Sequence, residues 1–333
     1  MPSFNDWFEH RARLLKRLVA ALFLSLGVAS AWAQNFPSKS IRLIAPYPPG
    51  GFNDVTARIL AQALAERFGQ SVIVENKPGA STIIGAEAVM RSAPDGYTLF
   101  YAGSSTFTAN PVLLPKLPYD PVKSFAPVGI VCRTPMLLLA HPSFPASNLK
   151  ELVGLLASKP GQYAYGSFGS GSISNFAGEL LNSTLGVRMM HVPYKGSSFL
   201  MNALVAGEIP LSVDTLVVAA PQVRSGRIKA IAAATAKRTS LLPDVPTVAE
   251  SGYSGLDVYV WTALVAPAGT PEPVLKRLRD EVNKSTATKD LIERFAAIGV
   301  EPVVADGDDF IRLVQRDIRN FTQVAKETNI KPD

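Results

Sequence analysis

The chain has 333 residues, of which 47% are hydrophobic and 18% are charged, and its formal net charge is +6 at pH 7. This composition supports a large buried core and excludes a protein that is disordered over most of its length. The only cysteine, Cys132, and three histidines without an H-x-x-x-H pair argue against a disulfide and a metal site. We expect no metal and no cofactor. The lysines and arginines do not cluster, so we expect no nucleic-acid partner.

The N-terminus has the pattern of a secretory signal peptide. A basic segment at residues 10–17 precedes a short apolar run at 18–29, and residues 31–33 (AWA) resemble a signal-peptidase site. The apolar run is too short for a stable membrane anchor. We therefore predict that residues 1–33 are cleaved and that an exported chain begins at Gln34. An uncleaved anchor and a buried helix are the alternatives.

The body of the chain then alternates strand and helix. Apolar runs predict strands at residues 41–45, 71–75 and 98–102, and helical spacing predicts helices at about 53–68 and 83–93. Gly69 is placed to end the first helix. The order β-α-β-α-β predicts a parallel sheet with helices on its faces.

Five prolines in residues 110–127 interrupt this pattern and predict a long loop or a domain boundary. Two strands are expected next, at 128–132 and 136–140, with Pro135 between them. Alternation then resumes, with strands at about 163–165, 189–192, 211–214 and 228–233 and helices beginning near 149, 173 and 197. A strand at 258–266 returns the chain to its first half, and a terminal helix is expected at about 306–328.

The predicted fold class is α/β, with two α/β domains joined by two crossings. We assign residues 34–135 and 256–333 to the first lobe and residues 136–255 to the second. Ligands of open α/β sheets lie at the carboxyl ends of the strands, so the loops of both lobes are expected to face one cleft.

Four loops between a strand and a helix are candidates for an anion site, at residues 47–54, 104–106, 166–172 and 194–197. Glycines let backbone N–H groups approach a ligand, and a helix N-terminus favours a negative charge. A tight turn is a sufficient explanation for any one of these loops. Four together predict a cleft that binds a carboxylate or a phosphate.

Enzyme motifs are mostly missing. A dinucleotide-binding G-x-G-x-x-G fails at Ser174, and neither a phosphate-binding P-loop nor a G-x-S-x-G nucleophile motif is present. Cys132 is expected to be a buried packing residue rather than a nucleophile, and His191 a hydrogen-bonded core or hinge residue rather than a catalytic base. Asp214 is either a cleft residue or part of a turn, and Asp54 either starts a helix or binds a ligand amine. We predict no enzyme activity, the alternative being an exported α/β hydrolase or transferase that uses a serine or Asp214.

Short motifs occur in order along the predicted mature chain. They are PYPPGG at 46–51 with Asp54, VENKPGA at 74–80, PDGYTL at 94–99, LPYDP at 117–121, HVPYKG at 191–196, LPDVPT at 242–247 and APAGTP at 266–271. In these motifs the chain resembles the Bug family of periplasmic solute-binding proteins, the receptors of tripartite tricarboxylate transporters. The resemblance covers essentially the whole mature chain.

The resemblance implies a two-lobed type II periplasmic-binding-protein fold with a hinge of crossing strands. It implies a monomer in the periplasm that captures a small carboxylate: an organic di- or tricarboxylic acid, an acidic amino acid or an aromatic acid. The partners would be the membrane components of a tripartite tricarboxylate transporter. A sensor protein of a signalling system is the alternative partner.

The resemblance also implies ligand contacts. In the first lobe these would be Tyr47, Pro49, Gly50, Gly51, Asn53, Asp54, Ser81, Ser104, Ser105 and Thr106. In the second lobe they would be Ser167, Gly169, Gly171, Ser172, Lys195, Gly196 and Asp214. The chain departs from the family at Asn175, where the family usually has histidine, and at the bulky Phe52. No arginine lies in the two main loops, so a carboxylate would depend on N–H groups and hydroxyls.

Overall fold

The computed structural model describes residues 36–114, 116–253, 256–305 and 307–328. The contacts of the chain divide it into a short N-terminal unit that ends at Ser38 and a body that begins at Lys39. The fold below is that of the body. The predicted signal peptide, residues 1–33, lies outside the described residues. In the part of the chain that is described, no helix combines the length and the apolar character needed to cross a bilayer.

The strands of the body are β1 (Ile41–Ala45), β2 (Val72–Asn76), β3 (Thr98–Gly103), β4 (Phe125–Ala140), β5 (Ala164–Ser167), β6 (Met190–Pro193), β7 (Leu211–Thr215), β8 (Lys229–Ala233), β9 (Tyr259–Pro267) and β10 (Glu301–Ala305). The helices are α1 (Phe52–Phe68), α2 (Ile83–Met90), α3 (Asn110–Leu113), α4 (Leu149–Ser158), α5 (Ile173–Leu185), α6 (Ser197–Ala206), α7 (Leu216–Arg224), α8 (Glu272–Thr286), α9 (Lys289–Ala297) and α10 (Gly307–Thr328). A 3₁₀ turn covers Ala80–Thr82, and a π-helical turn covers Ser105–Ala109.

The strands are hydrogen-bonded in the order β2-β1-β3-β9-β4-β7-β5-β6, and β8 and β10 also pair with β4. β1 is parallel to β2 and β3, and β5 is parallel to β6 and β7. The antiparallel strands β9 and β4 connect these two groups. We call β1–β3 with their helices the first lobe and β5–β7 with theirs the second lobe. The predicted α/β class with two lobes and crossing strands is confirmed.

The two strands predicted around Pro135 are one continuous strand, β4, so this prediction was wrong. Up to Pro135, β4 pairs with β9, and from Met136 it pairs with β7 and β8. Proline lacks an N–H group, and a strand tolerates it where the ladder is interrupted. Pro135 lies at this change of partners. The lobe boundaries at residues 135/136 and 255/256 stay a prediction.

The loop predicted at residues 110–127 was also partly wrong. A helical segment follows β3 directly, first as the π-helical turn and then as α3, and β4 begins at Phe125. Pro111 is the second residue of α3, at the junction with the π-helical turn. The helices α7 and α9 and the strand β10 were not predicted at all.

An aromatic core supports the first lobe. Phe107 packs edge-to-face on Phe310 with the ring centroids 5.0 Å apart, and on Phe125 at 5.7 Å. Its ring is stacked at 6.2 Å on Trp261 of β9. Such pairs add roughly 0.5–1.5 kcal/mol each to the burial of their apolar area. The cluster fixes Trp261 in the strand that runs between the two lobes.

Candidate functional site

The loops after β1, β3, β5, β6 and β7 meet between the two lobes and line two adjacent chambers. The inner chamber has a volume of about 40 Å³ and is lined by Tyr47, Pro48, Gly51, Phe52, Asn53, Gly103, Ser104, Ser105, Phe168, Ser197, Thr215, Val260, Trp261 and Thr262. The outer chamber has a volume of about 650 Å³, and its lining includes residues 78–82, 168–170 and 193–196. None of the described residues that line the inner chamber carries a charge.

The predicted contact residues divide into three groups. Tyr47, Gly51, Asn53, Ser104 and Ser105 line the inner chamber. Ser81, Gly169, Ser172, Lys195 and Gly196 line the outer chamber, together with Tyr47 and Ser105. Pro49, Gly50, Asp54, Thr106, Ser167, Gly171 and Asp214 line neither. The role of all these residues in ligand binding stays a prediction.

Two aromatic rings from opposite lobes lie where the chambers adjoin. Tyr47 and Phe168 line both chambers, and their rings meet edge-to-face with centroids 6.1 Å apart. Burial raises the pKa of Tyr47 to about 12, so its hydroxyl is neutral at physiological pH. The pair forms an apolar partition between the inner and the outer chamber.

Three helices begin at this site without a side-chain cap. They are α1 after Gly51, α6 after Gly196 and α7 after Thr215. The first N–H groups of a helix have no partner within it and carry a partial positive charge. Gly51, Ser197 and Thr215 line the inner chamber, so three helix N-termini from both lobes lie beside it.

Helix α5, which follows the predicted glycine–serine loop, differs from these three helices because it has a side-chain cap. Ser172 caps α5, because its hydroxyl oxygen accepts a hydrogen bond from the Asn175 N–H at 3.3 Å. The same hydroxyl donates to the Gly169 carbonyl oxygen at 2.6 Å. Part of the anion-binding capacity expected of this loop is therefore used within the loop.

Asp54 holds the first glycine loop in shape. Its carboxylate accepts hydrogen bonds from the Gly50 N–H at 3.0 Å, from Asn76 Nδ2 at 2.9 Å and from Arg58 Nε at 3.1 Å. Burial raises the pKa of Asp54, but the hydrogen bonds from Arg58, Gly50 and Asn76 lower it further than burial raises it, to below its ordinary value. The side chain lies in the first turn of helix α1 and positions the loop that precedes the helix.

Asp214 lies behind the wall of the inner chamber. It is fully buried, and Ser197 Oγ lies 2.7 Å from each of its oxygens. The Thr215 N–H donates to its Oδ1 at 2.7 Å. Burial raises the pKa of Asp214 to about 7, although these hydrogen bonds act in the opposite direction. Asp214 orients two residues of the chamber wall.

The turn Ala80–Thr82 in the wall of the outer chamber is strained. Its three residues have φ values of 45°, 49° and 77°, in the left-handed region, and none of them is glycine. A left-handed conformation costs roughly 1–2 kcal/mol for each residue with a Cβ atom. Strain of this kind persists only where the surrounding structure fixes the backbone.

The two lobes are in direct contact. Ser81 Oγ donates to the Ser170 carbonyl oxygen at 3.1 Å, and the Ile173 N–H donates to Ser105 Oγ at 3.1 Å. A Cβ atom added to Gly196 would lie 2.9 Å from Pro48 Cδ in the other lobe. The cleft is therefore closed around the inner chamber.

The sequence matches the profile of the tripartite tricarboxylate transporter family receptors over residues 56–330. The chain belongs to this receptor family. The solved structures that are similar to it include the following three. The periplasmic binding protein BugD is 32% identical, with a TM-score of 0.85, over 90% of this chain and 100% of BugD. A Rhodopseudomonas palustris protein with adipate is 32% identical over the same shares, with a TM-score of 0.87. MatC from Rhodopseudomonas palustris, with bound malate, is 34% identical over 87% of this chain and 99% of MatC, with a TM-score of 0.82.

One arrangement in this receptor-family chain resembles part of a hydrolase site. Ser167 Oγ lies 2.6 Å from His191 Nε2, the distance expected between a nucleophile and its base. Ser167 is fully buried and lines neither chamber, and its Oγ is also 3.1 Å from the Gly169 carbonyl oxygen. The pair stabilises the second-lobe loop and does not present a nucleophile to the cleft.

Sequence reasoning missed several residues of the inner chamber of this family member. Val260, Trp261 and Thr262 of β9 form one wall, and Phe168 and Thr215 belong to the second lobe. The strand was predicted, but a continuous apolar run does not show which of its residues reach a cleft. A tryptophan in the strand that crosses between the lobes was the available signal.

Proposed function

We propose that this chain is an exported receptor that binds a small carboxylate between its lobes and presents it to the membrane components of a tripartite tricarboxylate transporter. The observation that carries the proposal is the position of three uncapped helix N-termini beside a chamber whose described lining has no charge. Membership of the receptor family supports the same function.

The physical basis is the pairing of an anion with the first N–H groups of these helices, which have no partner within their own helix. Each hydrogen bond to a charged group contributes roughly 1.5–3 kcal/mol. A few such bonds, less the cost of removing the carboxylate from water, suffice for a micromolar dissociation constant, which corresponds to about −8 kcal/mol. Closure of the cleft around the ligand is then a population shift produced by contacts to both lobes.

Titration calorimetry tests the binding step. The panel is succinate, malate, adipate, glutamate and benzoate, and it includes the acids bound by two of the similar structures. The dimethyl ester of the tightest-binding diacid, or the methyl ester of benzoate, is the uncharged control. We expect saturable binding of at least one acid and none of its ester. A protein that binds no acid of the panel, or that binds the ester equally well, would contradict the proposal.

Two glycine variants test the location. A Cβ at Gly51 would lie 3.4 Å from Ser197 Cβ, whereas a Cβ at Gly154 in α4 meets no atom within 4 Å. We expect Gly51→Val to abolish binding and Gly154→Val to keep it. Equal affinities in the two variants would mean that the acid binds elsewhere.

Export of the chain, its membrane partner and the absence of catalysis each need a separate measurement. N-terminal sequencing of the periplasmic protein is expected to begin at Gln34, and gel filtration is expected to show a monomer. Uptake of the bound acid should require the membrane components of the transporter. A response that requires a sensor protein instead would favour signalling. Mass spectrometry should recover the acid unchanged, since we propose that the chain is not an enzyme.

A further inference from the structure

The strained turn Ala80–Thr82 has residues with side chains at three positions where glycine would avoid the strain. Glycine reaches left-handed φ values without steric cost, yet this turn carries two methyl groups and two hydroxyl groups. Both hydroxyls form hydrogen bonds. Thr82 Oγ1 accepts one from Thr106 Oγ1 at 2.9 Å, and Ser81 Oγ donates one to Ser170. The strained positions therefore hold groups that bind other parts of the protein.

A buried network fixes the turn from inside the first lobe. Asn110 Nδ2 donates to the Ser81 carbonyl oxygen at 2.6 Å and to Thr82 Oγ1 at 3.2 Å. Asn110 is itself held by Tyr119, whose hydroxyl donates to the Thr106 carbonyl oxygen at 2.7 Å. All these partners belong to the β3–β4 connection of the first lobe, so this part of the network lies within the first lobe alone.

The Ser81 hydroxyl is the part of the turn that reaches across the cleft. Its acceptor, the Ser170 carbonyl oxygen, lies in the glycine–serine loop of the second lobe, 89 residues along the chain. Ser81 lines the outer chamber and not the inner chamber. Its hydrogen bond therefore contributes to the closed arrangement of the lobes, although Ser81 is not part of the wall of the inner chamber.

We propose that Ser81 is a positioning residue that prolongs ligand retention by stabilising the closed cleft. The turn holds the Ser81 hydroxyl in place, so closure gains the Ser81–Ser170 hydrogen bond with little loss of conformational freedom. Because this bond forms only when the lobes meet, it slows opening and therefore slows dissociation. The inference rests on the proposed function, since retention requires a ligand in the cleft.

Three variants separate this role from a structural one. Ser81→Ala removes the hydroxyl and keeps the strain, and Ser81→Gly removes both. Ser92→Ala is the matched control, because Ser92 Oγ donates to the Ala88 carbonyl oxygen at 2.8 Å within the first lobe. Dissociation constants and dissociation rates are measured with whichever of succinate, malate, adipate, glutamate and benzoate binds the wild-type chain most tightly, and melting temperatures are measured without acid.

We expect both Ser81 variants to bind the acid about 2- to 10-fold more weakly, through faster dissociation, as the loss of one neutral hydrogen bond implies. Ser81→Gly should also raise the melting temperature, so that stability and affinity change in opposite directions. Ser92→Ala should leave the affinity unchanged. Wild-type affinity in Ser81→Ala, or an affinity that follows the melting temperature across the variants, would overturn the inference and leave the proposed function intact.

A wild-type chain that binds none of these acids would contradict the proposed function. The role of Ser81 is then decided by small-angle X-ray scattering of the acid-free proteins. Ser81→Ala should have the larger radius of gyration, since its cleft opens more often. Identical scattering curves would overturn the inference.

Discussion

The Ser197 hydroxyl donates a hydrogen bond to the carboxylate of Asp214, and its Oγ lies 2.7 Å from each carboxylate oxygen. Ser197 lines the inner chamber, whereas Asp214 is completely buried behind it. Because burial raises the pKa of Asp214 to about 7, this carboxyl gains or loses its proton near physiological pH. Ser197, a residue of the chamber wall, is thus hydrogen-bonded to a group whose charge changes near physiological pH.

The raised pKa makes folding stability depend on pH. Between its unfolded pKa of about 4 and its folded pKa of about 7, Asp214 binds more protons in the folded state, so its contribution is lost as pH rises. The difference in pKa corresponds to roughly 4 kcal/mol. We expect Asp214→Asn to have a flatter profile of melting temperature against pH between about pH 5 and pH 8, and to be the more stable chain at pH 8.

Asp280→Asn is the control for this pH profile. Asp280 lies in an exposed pair with Lys276, and the hydrogen bond from Lys276 lowers its pKa. It therefore remains charged throughout the measured range. Parallel profiles for wild type and Asp214→Asn would mean that Asp214 has an ordinary pKa.

Gly196 should determine whether the cleft closes. Its φ is 124°, and an added Cβ would lie 2.9 Å from Pro48 Cδ in the opposite lobe. We expect Gly196→Ala to weaken acid binding by more than about tenfold, which corresponds to about 1.4 kcal/mol, because the lobes cannot approach. Calorimetry with the tightest-binding acid of the panel measures this.

Gly226→Ala controls for backbone strain. Gly226 also has a positive φ, 71°, but a Cβ there meets no atom within 4 Å. Both variants should lose stability, Gly226→Ala by about 1 kcal/mol and Gly196→Ala by more, because its φ of 124° and ψ of 165° lie in a region that is essentially restricted to glycine. Only Gly196→Ala should lose affinity, and equal affinity in the two variants would contradict closure at this point.

The sequence predicted the features of the site that depend on near neighbours. The glycine turn before α1, the Gly69 that ends this helix with φ 63°, and the start of α4 near residue 149 all have their causes within a few residues. The parallel strands followed from apolar runs of strand length. Loops at the carboxyl ends of those strands then had to face the cleft.

Features that depend on distant pairing were not predictable. Trp261 reaches the inner chamber because β9 pairs with β3 and β4, which lie more than 120 residues earlier in the chain. Ser197 binds Asp214 because β7 passes behind helix α6. Ser104 and Ser105 were expected in a loop but lie in a helical segment that continues into α3.

Asp54 should stabilise the fold and the glycine loop together. Asp54→Asn loses the charge-assisted bonds from Arg58, so we expect the free energy of unfolding to fall by about 1.5–3 kcal/mol at neutral pH and acid binding to weaken. The pKa of Asp54 is lowered in the folded state, so this contribution is present above its ordinary pKa and lost as pH falls through the folded pKa. The deficit of the variant should therefore shrink in acid.

Glu75→Gln is the matched control for Asp54→Asn. Glu75 forms an exposed pair with Arg42, with Nε 2.6 Å from Oε1. Exposed pairs contribute about 0–1 kcal/mol, so denaturant unfolding should show a small loss and calorimetry should show unchanged acid binding. A Glu75→Gln loss as large as that of Asp54→Asn would mean that the buried loop network contributes nothing special.

Trp261 should report the occupancy of the inner chamber directly. The three tryptophans are Trp7, Trp32 and Trp261, so cleavage before Gln34 leaves Trp261 as the only one. Trp261 is among the residues that line the inner chamber, and its Nε1 donates to Asp317 Oδ2 at 3.0 Å. We expect the fluorescence of the mature chain to change on addition of the tightest-binding acid, with the same midpoint as calorimetry. Trp261→Phe should remove the emission and supplies the blank.

Asp317→Asn distinguishes two causes of a change in emission, the occupancy of the chamber and the environment of the indole N–H. Asp317, a residue of α10, accepts that hydrogen bond from Trp261 and is absent from the lining of the inner chamber. The variant should shift the emission of the acid-free chain and leave the midpoint of the acid titration unchanged. If calorimetry shows saturable binding while the emission of Trp261 stays constant, the acid does not occupy the inner chamber, and the assignment of the helix N-termini as its binding site is wrong.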